Sequence, residues 1–68
     1  MKKVEIKNWF HEKKWWEMYN SYHCQKMDKI GTVIGETDKA YKLTVRALFI
    51  SNEKEITIWA PKSACVEI

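Results

Sequence analysis

The sequence predicts a mainly β domain with one helix, its strands curled into a small barrel. Three observations predict it. Residues 9–24 hold no glycine or proline, and their apolar residues recur at helical spacing. Residues 30–68 instead alternate apolar and polar side chains, as half-buried strands do. Two short polar clusters, Glu36-Thr37-Asp38-Lys39 and Ser51-Asn52-Glu53-Lys54, lie between the alternating runs, where tight turns belong. The 68 residues make a single domain, 1–68, and 46% hydrophobic content with only one proline and two glycines marks a chain that folds. A domain this small buries only about 60% of the surface its unfolded chain exposes, so a homodimer is one way to enlarge its core.

Residues 1–8 read as an arm or a short strand, because Val4 and Ile6 alternate with Glu5 and Lys7. This lead-in has the C-terminal strand as a possible partner. Asn8 is of the residue type that caps helices. The helix then runs over residues 9–25. At 100° per residue, Met18, Tyr22, Trp15, Tyr19, His23, Trp16 and Trp9 occupy about half its circumference, with Phe10 among the polar residues opposite. That arc is broader than one packing stripe needs. One edge of it can lie on a sheet while the other faces outward.

Ile30, Val33 and Ile34 form a first strand, interrupted by Gly31 and Gly35. Residues 40–50 form the longest. Tyr41, Leu43, Val45, Ala47 and Phe49 share one face, and Lys42, Thr44 and Arg46 the other. Leu48 and Ile50 break that polar face, so the far end of the strand is expected to be covered on both sides. Ile56, Ile58 and Ala60 alternate with Glu55, Thr57 and Trp59, and Pro61 ends the strand because it cannot donate to a ladder. Pro61-Lys62-Ser63 reads as one short helical turn, and Cys65–Ile68 as a last strand. Four to five short strands, tight hairpins and a proline-led turn before a terminal strand point to a bent barrel of the SH3-like type over residues 30–68, capped by the amphipathic helix at one open end.

The stretches Trp9-Phe10 with Glu12-Lys13, Gly35-Glu36-Thr37-Asp38-Lys39-Ala40 and Ile58-Trp59-Ala60-Pro61-Lys62-Ser63 together resemble a group of short proteins from bacteriophages, archaeal viruses and prokaryotic genomes. Members of that group share an E-T-x-K-A turn and a W-x-P-K-S turn. The likeness covers about residues 9–67. It implies a phage or mobile-element origin and an architectural role for the turns, and it brings no activity or catalytic residue with it. The crowded rings between Trp15 and Tyr22 fall outside the shared pattern. In the turns, Lys39 and Lys62 are expected to pair with an acid such as Glu36 or Asp38. Thr37 is expected to accept a backbone N–H, and Ser63 to cap the turn after Pro61.

The chemistry on offer is narrow. His11, His23, Cys24 and Cys65 are the only soft metal ligands. Adjacent side chains such as His23 and Cys24 diverge on a helix, and two cysteines 41 residues apart have no zinc-finger spacing. His11 reads as a surface histidine and Cys65 as a small buried thiol. No phosphate-binding glycine loop is present, and no base is set beside a nucleophile at recognisable spacing. The chain is therefore read as non-catalytic, with no metal site and no cofactor.

Binding remains. Four tryptophans, three of them within the first sixteen residues, exceed what so small a core needs. Trp15, Trp16, Met18, Tyr19, Tyr22 and Trp59 are candidates for a protein-binding surface, since tryptophan and tyrosine dominate interface hot spots. Trp59 has two readings, one packed under the helix or a loop and one in a partner surface. Residues 1–29 carry seven lysines against four acids, whereas residues 30–68 carry five cations against five acids. The excess positive charge thus lies in the aromatic half, which makes nucleic-acid binding through Lys13, Lys14, Lys42, Arg46, Trp15 and Trp59 the alternative, with Tyr22 as a further stacking ring. A homo-oligomeric structural module is a third reading. No stretch approaches 18 apolar residues and the opening MKKVEIKNW has no signal-peptide core, so the expected setting is the cytoplasm, a host's if the chain is phage-encoded, with no membrane partner.

Overall fold

The computed structural model describes residues 2–68. Its elements run β1 (Lys3–Ile6), α1 (Asn8–Tyr22), β2 (Lys26–Met27), β3 (Ile30–Glu36), β4 (Ala40–Leu48), β5 (Glu53–Pro61), a 3-10 turn (Lys62–Ala64) and β6 (Cys65–Glu67). The protein is mainly β, with six antiparallel strands in one sheet and one helix.

β4 organises the sheet. Along one side it pairs with β5 over its whole length, from Ala40↔Pro61 to Leu48↔Glu53. Along its other side it pairs first with β3 and then with β2. β3 continues to β1, and β1 to β6. The lead-in is therefore an interior strand held between β3 and β6. β5 and β6 form opposite edges of the sheet, yet only the three residues of the 3-10 turn join them. The sheet must curl to allow this. It stops short of closure, because β5 pairs only with β4.

The concave side holds the core. Tyr41, Leu43, Val45 and Ala47 point into it from β4, as the period of two requires. Val4 and Ile6 of β1 and Ile58 and Ala60 of β5 meet them, with Met27, Cys24 and Ala64 completing the buried set. Gly31 lets β3 approach closely here. A Cβ at that position would stand 2.9 Å from Val45 Cγ1 and 3.3 Å from Leu43 Cβ. The register between β3 and β4 shifts between Val33 and Gly35, and the extra residue, Ile34, is exposed.

Several expectations are corrected. Gly31 and Gly35 do not interrupt the first strand, which runs unbroken through both. β4 ends at Leu48, and both Leu48 and Ile50 are exposed, because no layer covers the convex face there. Asn8 is the first helical residue and not the cap. Lys7 holds the cap position with its extended backbone, and no side chain caps the helix. The helix stops at Tyr22 instead of reaching residue 25, since His23 takes the left-handed conformation (φ 58°). That turn carries Cys24 off the helix and into the core, where it is fully buried, while Cys65 is only half-buried. The 3-10 turn has no side-chain cap, from Ser63 or any other residue.

Candidate binding surface

The helix lies on the open side of the curled sheet, and its seating fixes which rings stay outside. Phe10, Trp15 and Met18 pack against the core cluster, although no residue of α1 is itself fully buried. Phe10 thus belongs to the packed side and not to the polar side the helical wheel gave it. Two polar contacts add direction. The Trp15 indole N–H donates to the Gln25 carbonyl (3.2 Å), and His11 Nε2 lies 2.6 Å from the Met27 carbonyl. The match is geometric. Four residues of helix rise about 6 Å, and two residues of strand advance roughly 6.6–6.8 Å. Side chains at i and i+4 can therefore serve carbonyls at j and j−2. Through these bonds α1 covers backbone of the short strand β2, which the sequence reading missed. Lys29 donates its ammonium to the Asn8 amide oxygen at the helix start.

With that side committed, the other carries the exposed rings. Tyr22, 65% exposed, stands at the helix end beside Met18 and borders a groove with Phe49 and Ile56, whereas Trp9, Trp16 and Tyr19 are 55%, 56% and 45% exposed on the outward side. They are not independent side chains. Trp16 and Tyr19 stack with centroids 5.8 Å apart and planes 12° from parallel. Trp15 supports both, at 6.0 Å from Trp16 and 5.5 Å from Tyr19, so the exposed pair rests on a ring that is itself anchored to the Gln25 carbonyl just before β2. Trp9 meets Phe10 edge to face at 5.8 Å. An open groove of about 530 Å³ lies among Trp9, Glu12, Lys13, Trp15 and Trp16. Trp9 joins this surface although it was not among the binding residues expected from the sequence. The signal was available: Trp9 precedes Trp16 by seven residues, two helical turns, on the same side.

The remaining candidates are dispersed. Trp59 is half-exposed on the convex face, opposite Lys42 in register, with the Lys42 ammonium 6.0 Å from its ring centroid. It is packed neither under the helix nor under a loop. Met18 and Trp15 belong largely to the core contact. Among the cations, Lys13 is exposed, Lys14 lies 3.6 Å from Glu17, and Arg46 is bonded to Glu53 at 2.8 Å. Lys13 and Lys14 are on α1, whereas Lys42 and Arg46 are on the convex face of β4.

The two turns singled out in the sequence meet. The Lys62 ammonium bonds Glu36 at 2.7 Å, and the Lys62 backbone N–H donates to the Lys39 carbonyl at 2.8 Å. Thr37 Oγ1 accepts the Ala40 N–H as expected, at 3.2 Å. Lys39 contributes its backbone to this junction; the ion pair is made by Lys62. The Lys2 and Lys62 ammoniums flank the buried Tyr41 ring at 5.2 and 5.1 Å, and Lys2 also pairs with Glu67 at 2.7 Å. The hydrogen bond to Lys62 holds the Glu36 carboxyl below its ordinary range, and the same bond raises Lys62. Lys2 is raised by its bonds to Glu67 and then Tyr41. Burial pushes the Cys24 thiol up, against a weaker opposing bond to the Lys26 carbonyl. A raised, buried thiol is a poor nucleophile.

Comparison with protein-family models, with curated proteins and with solved structures finds no match to this chain.

Proposed function

We propose that the chain is a small non-catalytic binding module that engages a protein partner through the outward face of α1. One observation carries the reading: three large rings, Trp9, Trp16 and Tyr19, stand about half-exposed on a helix whose other side packs on the core, with the exposed Tyr22 at its end. Contiguous apolar patches of this kind mark interaction sites on small proteins, and tryptophan and tyrosine anchor them. The stacking of Trp16 on Tyr19 adds pre-organisation, which lowers the ordering cost of binding. We read the sheet as an SH3-like barrel left open along one seam, on the strength of the three-residue link between its edge strands. The likeness of its two turns to short viral and prokaryotic proteins favours a phage-derived chain acting on a host or phage protein in the cytoplasm.

The nucleic-acid reading has less behind it. Arg46 and Lys14 each lie beside a carboxylate, and the candidate cations sit on two different elements. No helix of the described residues is long and apolar enough to cross a membrane.

The test compares wild type with Trp9→Ala and Trp16→Ala in affinity capture from host lysate, beside anisotropy titrations of labelled DNA and RNA at two salt concentrations. Capture of a discrete protein, lost in the variants while their circular dichroism is unchanged, supports the reading. Equal capture by the variants sinks it. Nucleic-acid binding that weakens steeply with salt would replace it with the alternative. A dimeric mass that reverts to monomer in the variants would assign the face to a second copy of the chain.

A further inference from the structure

A second surface adjoins the C-terminal end of α1, where Tyr22 borders it, and lies away from Trp9 and Trp16. The β4/β5 ladder is anchored at both ends, by the Phe49 N–H donating to the Asn52 carbonyl at 2.7 Å and the Lys62 N–H donating to the Lys39 carbonyl at 2.8 Å. Residues directly opposite in an antiparallel ladder alternate between exchanging both hydrogen bonds and exchanging neither. The register from Ala40↔Pro61 to Leu48↔Glu53 is unbroken, so both anchors give the same alternation. Lys54, Ile56, Ile58 and Ala60 turn their N–H and C=O groups to β4. Glu55, Thr57 and Trp59 turn theirs away, and no described strand pairs with β5 on that side.

What flanks this edge is shaped for an occupant. An open groove of about 540 Å³ runs beside it, with Met18 and Tyr22 of α1 on one wall and Phe49, Lys54, Ile56 and Thr57 on the other. A strand added to β5 would drop every second side chain toward that groove. Exposed edges are normally guarded by charge or proline. Here the guards stand at the ends, Glu53-Lys54-Glu55 and Pro61, and Ile56–Ala60 has none. The charges around the groove are also uneven. Glu53 is satisfied by Arg46, and Glu55 lies opposite Arg46 on the convex face. Lys54 sits with its ammonium 5.0 Å from the Phe49 ring centroid and forms no ion pair among the described residues.

We propose that the free edge of β5 is a docking edge for an extended peptide segment of a partner protein, which adds as a further antiparallel strand, places alternate apolar side chains in the groove between α1 and β5, and sets an acidic residue against Lys54. Backbone bonds from Glu55, Thr57 and Trp59 supply the hydrogen bonding, as in other strand-addition complexes. A second copy of the chain fits less well. Two-fold pairing of β5 with itself about Thr57 sets Lys54 against Ala60 and Glu53 against Pro61, and leaves Lys54 without an acid.

The probe is a displayed library of random nonapeptides, panned on the folded chain, with the enriched peptides synthesised. The enriched set should alternate apolar residues and include an acid. At saturation, amide hydrogen exchange at Glu55, Thr57 and Trp59 should slow by at least about tenfold, while Ile56 and Ile58, already bonded to β4, change little. N-methylation of the peptide should abolish binding at alternate positions only. Lys54→Glu should shift the selected acid to a base. Binding should persist in the Trp9→Ala, Trp16→Ala double variant, which separates this edge from the helix face. The proposal is overturned by a panning that enriches nothing, by peptides that leave the three amides unprotected, or by tolerance of N-methylation throughout. It is equally overturned if the three amides are already protected in the peptide-free chain and lose protection on dilution, since the edge would then belong to a second copy.

Discussion

Strand β4 and helix α1 use apolar residues in opposite ways. In β4 every second side chain from Tyr41 to Ala47 is buried, none of them more than 8% exposed. In α1 none of the 15 residues is buried, though the helix holds three of the four tryptophans. The strand spends its apolar area inside the molecule. The helix leaves four of its six rings exposed. Fold and surface therefore rest on different elements, and substitutions in the two should differ in kind as well as in size.

The largest effect is expected at the centre of β4. Leu43 is fully buried between Val33 and Ile58 in register. Leu43→Ala removes three buried carbons and leaves a cavity, which costs about 2–5 kcal/mol. In a chain this short that is a large part of the total stability. Urea unfolding followed by tryptophan fluorescence should show the midpoint collapse. A shift equivalent to less than about 1 kcal/mol would mean that the core lies elsewhere.

The adjacent pair Trp15 and Trp16 sharpens the contrast within the helix. Trp15→Phe keeps a ring against the core but leaves the Gln25 carbonyl without its indole donor, at a cost of about 1 kcal/mol. Trp16→Ala removes a half-exposed ring whose main intramolecular partner is Tyr19, and should cost less than about 1 kcal/mol. Partner capture should respond in the reverse order, with Trp16→Ala the more damaging. If Trp16→Ala proves the more destabilising change, the exposed rings are part of the fold and the contrast between helix and strand fails.

How much of this was legible in the sequence follows from which forces are local. The alternation of Tyr41, Leu43, Val45 and Ala47 exposed β4 directly, because a period of two survives any tertiary arrangement. Pro61 marked the end of β5 for a similarly local reason. The helix was legible as a helix, but its orientation was not. The wheel grouped Trp9, Trp15, Trp16 and Tyr19 in one apolar arc and could not say that hydrogen bonds from His11 to Met27 and from Trp15 to Gln25 turn only one edge of that arc inward. β2 escaped notice because two residues, Lys26 and Met27, carry no period at all. Cys24 was misplaced because the helix end depends on a left-handed His23, a residue without the turn signature of glycine or asparagine. The free edge of β5 could not be read either, since the side of a strand left unpaired is a property of the whole sheet.

The smallest expected effect concerns the junction of the two turns. Glu36 is exposed and Lys62 partly so, so their pair is a modest contributor and is screened by salt. Its pH dependence has a definite sign. The Glu36 carboxyl is held low, chiefly by the Lys62 hydrogen bond, so its contribution is present above the ordinary carboxylate range and is lost as pH falls through the folded value. Lys62 is raised, chiefly by the same bond, so its contribution is complete at neutral pH and is lost as pH climbs through the lysine range. Glu36→Gln should therefore lower the Tm slightly at pH 7, and the difference from wild type should shrink toward zero as pH falls through the lowered folded value of Glu36, where its carboxyl takes up a proton and becomes as neutral as glutamine. Concentrated salt at pH 7 should shrink it as well. A difference that persists unchanged in acid would assign the role of Glu36 to packing or backbone geometry in the turn, and would leave the Lys62 N–H bond to Lys39 as the tie between the two turns.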